Sequence, residues 1–309
     1  MDISIIEKLK TNEKIVFGPF CGEIGWELMR WCGFIRWFKK NNPEKQIFVS
    51  TRKDRLDLYY NAVDEITTFK IYDDYMTYRP NMYRLDFFPT EHYIQLLDVT
   101  KKTFPDSYIF ETPKDKDSSN RDYFPSDQMD FNFQPQENNK KIIESILLKH
   151  KGKIPVVLSP RHRIDLNNIK TNRNWIKLYW YRLFDMFVRS GKYLVFIVGV
   201  SPSFIDPPEN NCFEVLETYN NRIDDGSISQ IGLTIEAIKH SKITIGNQSS
   251  IPILSNILKT PTIMWGHEGH RHSILENPFN TTCMFFNEQP GIYKTEPTVI
   301  FNRMERFLC

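Results

Sequence analysis

Several things are scarce in this sequence, and each scarcity closes a class of protein. Its 309 residues hold five cysteines (Cys21, Cys32, Cys212, Cys283, Cys309), an odd number with no CxxC pair. That leaves no disulfide frame and no zinc ribbon, and it points to free thiols in a reducing compartment. No apolar run approaches the ~20 residues that cross a bilayer, so no integral membrane segment is expected. The opening MDISIIEKLKTNEK lacks a basic start followed by an apolar core. No signal peptide is expected from it, and a cytoplasmic location follows. An excess of one charge is also missing: 40 Lys+Arg against 38 Asp+Glu leave +2, too little to argue for nucleic-acid binding by itself.

What is present is an ordinary apolar share of 40% and a charged share of 25%, with aromatics at 14%. These suit a folded globular chain whose rings serve as core and as cleft lining. The length exceeds a usual single domain, so two domains are the natural expectation. KIVFG (14–18), QIFVST (46–51) and EITTFKIY (65–72) read as strands, with helices predicted over 24–40 and in RLDLYYNAV. In the first of these, Leu28, Trp31, Ile35 and Phe38 fall at helical spacing. Residues 105–136 are polar, rich in proline and without period, and read as an irregular excursion.

A second alternating series follows: a helix over 137–150, IPVVLS as a strand, a helix over 174–191 stopped by Gly191, and YLVFIVGV as a strand. A helix over 232–241, KITIGN, a helix over 249–259, PTIMWG and a C-terminal helix complete it. Short buried strands separated by helices imply parallel sheets. The expected fold is α/β, two doubly wound Rossmann-like domains facing a cleft, with residues 1–136 as the first domain and 137–309 as the second.

Five clusters fall at predicted strand ends, where such sheets bind ligands. In IGNQSSIPIL, Gly246, Asn247 and Gln248 end a strand and Ser249 and Ser250 open a helix. Free N–H groups there suit a phosphate or diphosphate, and ordinary N-capping is the bland alternative. SPRHR places Arg161 and Arg163 after IPVVLS, fit to clamp phosphate oxygens or to be a solvated basic loop. Gly199 and Ser201 in GVSPSF suit the approach of a base or ribose. Thr234 and Glu236 suit a ribose hydroxyl, or serve as caps. In WGHEGHRH, His267, His270 and Arg271 form a polar ligand loop in preference to a metal site, since no cysteine is near. The last cluster, FGPFCGEIGWELMR, sets Glu23 and Glu27 among Gly22, Gly25 and Trp26. A carboxylate at that turn can take a proton from an acceptor hydroxyl, the glycines admit substrate to the main chain, and Trp26 walls a sugar or packs inside.

Together these residues resemble a known pattern. KIVFGPFCGEIGWELMRWCGFIRWFKKNNPEKQIFVST is similar to the N-terminal βαβ of two-domain (GT-B-type) glycosyltransferases, especially the lipopolysaccharide heptosyltransferases of glycosyltransferase family 9. TIEAIKHSKITIGNQSSIPILSNILKTPTIMWG resembles that family's donor-side stretch, as does SPRHR followed by NRNW. The resemblance implies a nucleotide-diphosphate sugar as co-substrate and no cofactor or metal. No strand carries Asp-x-Asp; Asp115 and Asp117 have that spacing but lie in the polar excursion. It also implies a base at the first turn. The family's aspartate follows a glycine, which matches Glu23 after Gly22, whereas Trp26 follows Gly25 and Glu27 comes one place later. Glu27 is slightly preferred as the base, with Glu23 beside it. Gln248 departs from the usual Asp or Ser. The acceptor implied is a glycan or surface oligosaccharide hydroxyl. The alternatives are hydroxymethylated DNA, as phage transferases use, a non-catalytic sugar-phosphate-binding module, and a pyruvyltransferase-like enzyme.

Overall fold

Every pairing between the described strands is parallel, as short apolar runs separated by helices require. A computed structural model describes residues 3–21, 24–71, 90–111, 129–162, 174–199, 204–220, 228–267, 281–289 and 292–308, with backbone only for Ile3, Ser4, Trp26, Thr90 and Asn220. The chain divides into two units, Met1–Pro135 and Gln136–Cys309.

In the first unit, helix α1 (Ile3–Lys10) leads to β1 (Lys14–Phe17). A helical stretch follows in three parts: α2 (Ile24–Trp26), a π-helical turn (Glu27–Trp31) and α3 (Cys32–Asn41). Then come β2 (Gln46–Ser50), β3 (Glu65–Thr67), α4 (Thr90–Thr103) and β4 (Tyr108–Phe110). The sheet order is β3-β2-β1-β4. Phe17 centres the core, its ring 5.9 Å from Trp31, 6.1 Å from Phe34, 6.0 Å from Phe38 and 5.5 Å from Phe110. Leu28 and Ile35 are buried with them, as the helical spacing predicts.

Three expectations for this unit need correction. The strand predicted over 65–72 is only Glu65–Thr67, because β2 ends at Ser50 and offers no further partner. Of RLDLYYNAV only the first four residues are helical, closing a 3₁₀ helix (Lys53–Leu58), and Asn61 at φ 57° breaks the helical path soon after. The stretch 105–136 is not irregular throughout. β4 lies inside it and pairs with β1 from Ile15↔Tyr108 to Phe17↔Phe110.

The second unit runs α5 (Glu137–Lys149), β5 (Ile154–Ser159), α6 (Lys177–Ser190), β6 (Tyr193–Ile197) and β7 (Phe213–Val215). It continues with α7 (Glu217–Asn220), α8 (Gln230–His240), β8 (Thr244–Asn247), α9 (Ser250–Ile257), β9 (Thr262–His267), β10 (Cys283–Glu288) and α10 (Pro297–Leu308). Gly191, in the left-handed region at φ 65°, stops α6 as foreseen. The sheet order β10-β9-β8-β5-β6-β7 is the Rossmann order 3-2-1-4-5-6 read from β7. Trp175, Trp180 and Trp265 pack together beneath it at 4.5 to 5.4 Å between centroids. Trp175, the tryptophan of NRNW, is core, with Nε1 donating to Thr295 O at 2.8 Å. Among the described residues no helix is long and apolar enough to cross a membrane.

Candidate active site

In a Rossmann-order sheet the crevice opens where strand order reverses, here between β5 and β8. Arg161 stands just beyond β5, and its Nη1 donates to Gln248 O just beyond β8 at 3.2 Å. That bond draws a guanidinium to the entrance of α9. Gly246 lies in β8 against Ser159 of β5 and Pro252 of α9, either of which a Cβ would meet at 3.2 Å. Asn247 is fully buried at the strand end.

Ser249 occupies the N-cap position of α9, yet its side chain makes no capping hydrogen bond. Its Oγ, buried as an atom, has no hydrogen-bond partner. Ordinary N-capping therefore does not account for this serine. The first-turn N–H groups of α9 have Ser249 and Ser250 half-exposed beside them, the kind of helix start that suits an anion.

Other donor-side candidates are placed differently. Gln248 spends its N–H on Trp265 O at 2.8 Å. Its side chain packs so tightly on Gly266 that a Cβ there would sit 2.5 Å from Oε1. Thr234 and Glu236 do not cap α8: that role belongs to Ser229, whose Oγ accepts from Gly232 N at 2.9 Å. Thr234 is buried inside the helix, its Oγ1 donating to Gln230 O at 2.7 Å, and Glu236 pairs with Lys239 at 2.9 Å. Both are thus turned to the helix's own stability. Gly199, at φ 141°, follows β6 and packs on Phe204; its carbonyl accepts from Gln230 Nε2 at 3.0 Å. His267 ends β9 with its backbone N–H donating to Tyr293 Oη at 3.2 Å.

In the first unit, Glu27 lies in the π-helical turn and is 0% exposed. Its Oε1 accepts from Thr51 Oγ1 at 3.0 Å and from Tyr59 Oη at 2.7 Å, and its Oε2 accepts from Arg55 Nη1. Arg55 is itself 1% exposed and reaches Asp54 at 3.3 Å, which Arg52 holds from the other side at 3.0 Å. Burial, reinforced by Glu27, pushes the Tyr59 phenol well up, so it stays a donor. Burial also pushes the Cys21 thiol far up against the pull of Arg52, so Cys21 is no nucleophile. Among the described residues Glu27, expected as a base open to substrate, is the buried centre of an ion-pair network with three donors on its carboxylate.

Gly25, in α2, has no described atom within 4 Å of where a Cβ would stand. Trp26 is in α2 with only its backbone described. Gly22, Glu23, Arg163, Ser201, His270 and Arg271 lie outside the described residues.

Sequence reasoning missed several groups. Thr51, Arg55 and Tyr59 close around Glu27 from the far side of β2. Glu111 follows β4 directly and accepts from Tyr93 Oη at 2.8 Å. His162, next to Arg161, carries a buried Nδ1 with no hydrogen-bond partner. Position after a strand is the signal they share, and it singles out no side chain until the strand order is known.

No family model matches this sequence, and no curated protein matches it. Solved structures do match. A glycosyl transferase family 9 protein from Veillonella parvula superposes with a TM-score of 0.60 at 11% identity, covering 96% of this chain and 97% of the other. ADP-heptose lipopolysaccharide heptosyltransferase II of E. coli gives 0.53 at 11% identity, covering 96% and 98%. At such identity the likeness is one of fold. The chain has the two-unit, Rossmann-like α/β fold of GT-B-type glycosyltransferases.

Proposed function

We propose that the protein is a nucleotide-sugar-dependent glycosyltransferase that works without a metal, moving a sugar to a hydroxyl of a glycan or surface oligosaccharide. One observation carries this reading. The helix start at the β5/β8 reversal has a serine that does not cap it and an arginine drawn to its edge. Unspent N–H groups, a helix dipole and a guanidinium offset the charge of a leaving diphosphate. The fold shared with glycosyltransferases supports the assignment, and one of those relatives being named for ADP-heptose makes ADP-linked sugars the first donors to try.

In this reading the acceptor oxygen bonds to the anomeric carbon as that carbon's bond to the diphosphate oxygen breaks. The electron pair leaves with the nucleoside diphosphate, and the hydroxyl proton passes to a carboxylate. With Glu27 sealed in its network, the proton acceptor is assigned to Glu23, immediately before α2. Glu23→Gln is expected to slow transfer at least ~100-fold with donor binding intact, as loss of a general base does. A saturating donor, at about 100 times its Kd, stabilises the native state by about 2.7 kcal/mol. Thermal melts against ADP-, UDP- and GDP-linked sugars, with phosphoenolpyruvate as contrast, read this directly. A melting point raised only by phosphoenolpyruvate, or full transfer by Glu23→Gln, sinks the proposal.

A further inference from the structure

Three polar atoms without hydrogen-bond partners gather at strand ends of the second unit: His162 Nδ1 beyond β5, Ser249 Oγ beyond β8, and Gln230 Oε1, whose own amide nitrogen is tied to Gly199 beyond β6. Buried polar atoms are ordinarily paired, so each of these three, at the carboxyl edge of the sheet where ligands bind, is open to a ligand. Ser249 and Arg161 are already accounted for by a diphosphate. His162 is not.

We propose that His162 takes up a proton when the diphosphate of a nucleotide sugar binds, so that donor binding and protonation are coupled. This rests on the donor-site reading above. The described charge that acts on the imidazole is a cation, Lys177 in the first turn of α6, and the chain neighbour of His162, Arg161, carries its guanidinium to the entrance of α9. Burial, and after it the Lys177 ammonium, hold His162 below the ordinary histidine range, so the ring is neutral in the empty protein near neutral pH. A diphosphate adds negative charge where only positive charge stood, and an opposite charge favours the imidazolium. The proton comes from solvent, and the doubly protonated ring gains an N–H donor for a phosphate oxygen. Linkage fixes the sign: raising the pKa on binding makes affinity rise as pH falls.

The test is titration calorimetry of the full chain with ADP-, UDP-, GDP-, CDP- and dTDP-glucose in buffers of different ionisation enthalpy. Their diphosphate diesters do not titrate between about pH 5.5 and pH 8, the range in which histidine does. The wild type is expected to take up a fraction of a proton per donor near neutrality and to bind about tenfold tighter at the acid end, the effect of about one unit of pKa change. His162→Gln, and His162→Asn should the first fail to fold, are expected to bind without proton uptake and with affinity flat in pH. Donor binding by the wild type with no uptake overturns the inference and leaves the donor site standing. So does uptake that persists in a folded variant. If none of the sugars binds, the donor-site reading falls and takes this inference with it.

Discussion

Glu27 shows how burial changes what a residue can do. A carboxylate removed from water needs a counter-charge and donors for its lone pairs. Glu27 has Arg55, Tyr59 and Thr51. Breaking a buried pair from one side strands the other charge, which costs about 3–5 kcal/mol. Glu27→Gln and Arg55→Met are each expected to lower stability by about that amount in urea unfolding. The double variant should lose clearly less than the sum, since a neutral amide still accepts from Tyr59 and Thr51. Single variants within about 0.5 kcal/mol of wild type would show that the network does not bind the π-turn to the turn after β2. None of this was legible at Glu27 in the sequence, because its partners lie 24, 28 and 32 residues away. The residues before a strand do not reveal which side chains arrive after the next one.

At the scale of elements the sequence spoke more clearly, because helix and strand periods are local. The stripe of Leu28, Trp31, Ile35 and Phe38 told of a buried helical face, and IPVVLS and YLVFIVGV told of central strands. Their bounds were less legible: where β3 stops depends on β2, and β4 gains its identity from β1. Junctions carry their own constraint. Gly18 leaves β1 at φ 130°, and a Cβ there would sit 2.5 Å from Ser50 O, the carbonyl that accepts from Phe20 N at 3.1 Å. Gly18→Ala meets both a strained conformation and a backbone clash, so a loss of about 1–3 kcal/mol or more is expected in chemical denaturation. An unchanged midpoint would mean the β1–β2 approach relaxes freely. The same variant should also impair transfer beyond its effect on stability, since this junction leads into Glu23.

For the molecule as a whole, response to acid follows from how its outer elements are pinned. Glu214 in β7 accepts from Tyr219 Oη at 2.8 Å and meets His150, at the end of α5, at 2.9 Å. Burial alone would raise its pKa, but Tyr219, His150 and Lys149 together hold it below the ordinary glutamate range. A depressed acid gives stability that is complete above its unfolded pKa and disappears as pH falls through the folded value. The gap in urea midpoint between wild type and Glu214→Gln should therefore be widest near neutrality and close on acidification. A gap that grows toward acid would contradict the pairing. The two-unit organisation was readable from the repeated α/β rhythm. The order of strands was not, since neighbours in each sheet include pairs far apart in the chain.

That last property has a consequence in time. With both sheets wholly parallel, no described strand pair can form by a tight hairpin, and each must wait for a crossover to close. Contacts such as Val157↔Thr244 join segments synthesised far apart, and β5 cannot complete its central place until β8 has left the ribosome. High contact order slows folding and leaves apolar strand edges open to wrong partners meanwhile. The arrangement that creates the β5/β8 crevice thus also delays it, since the crevice cannot exist until β8 and the start of α9 have been made and brought back to β5.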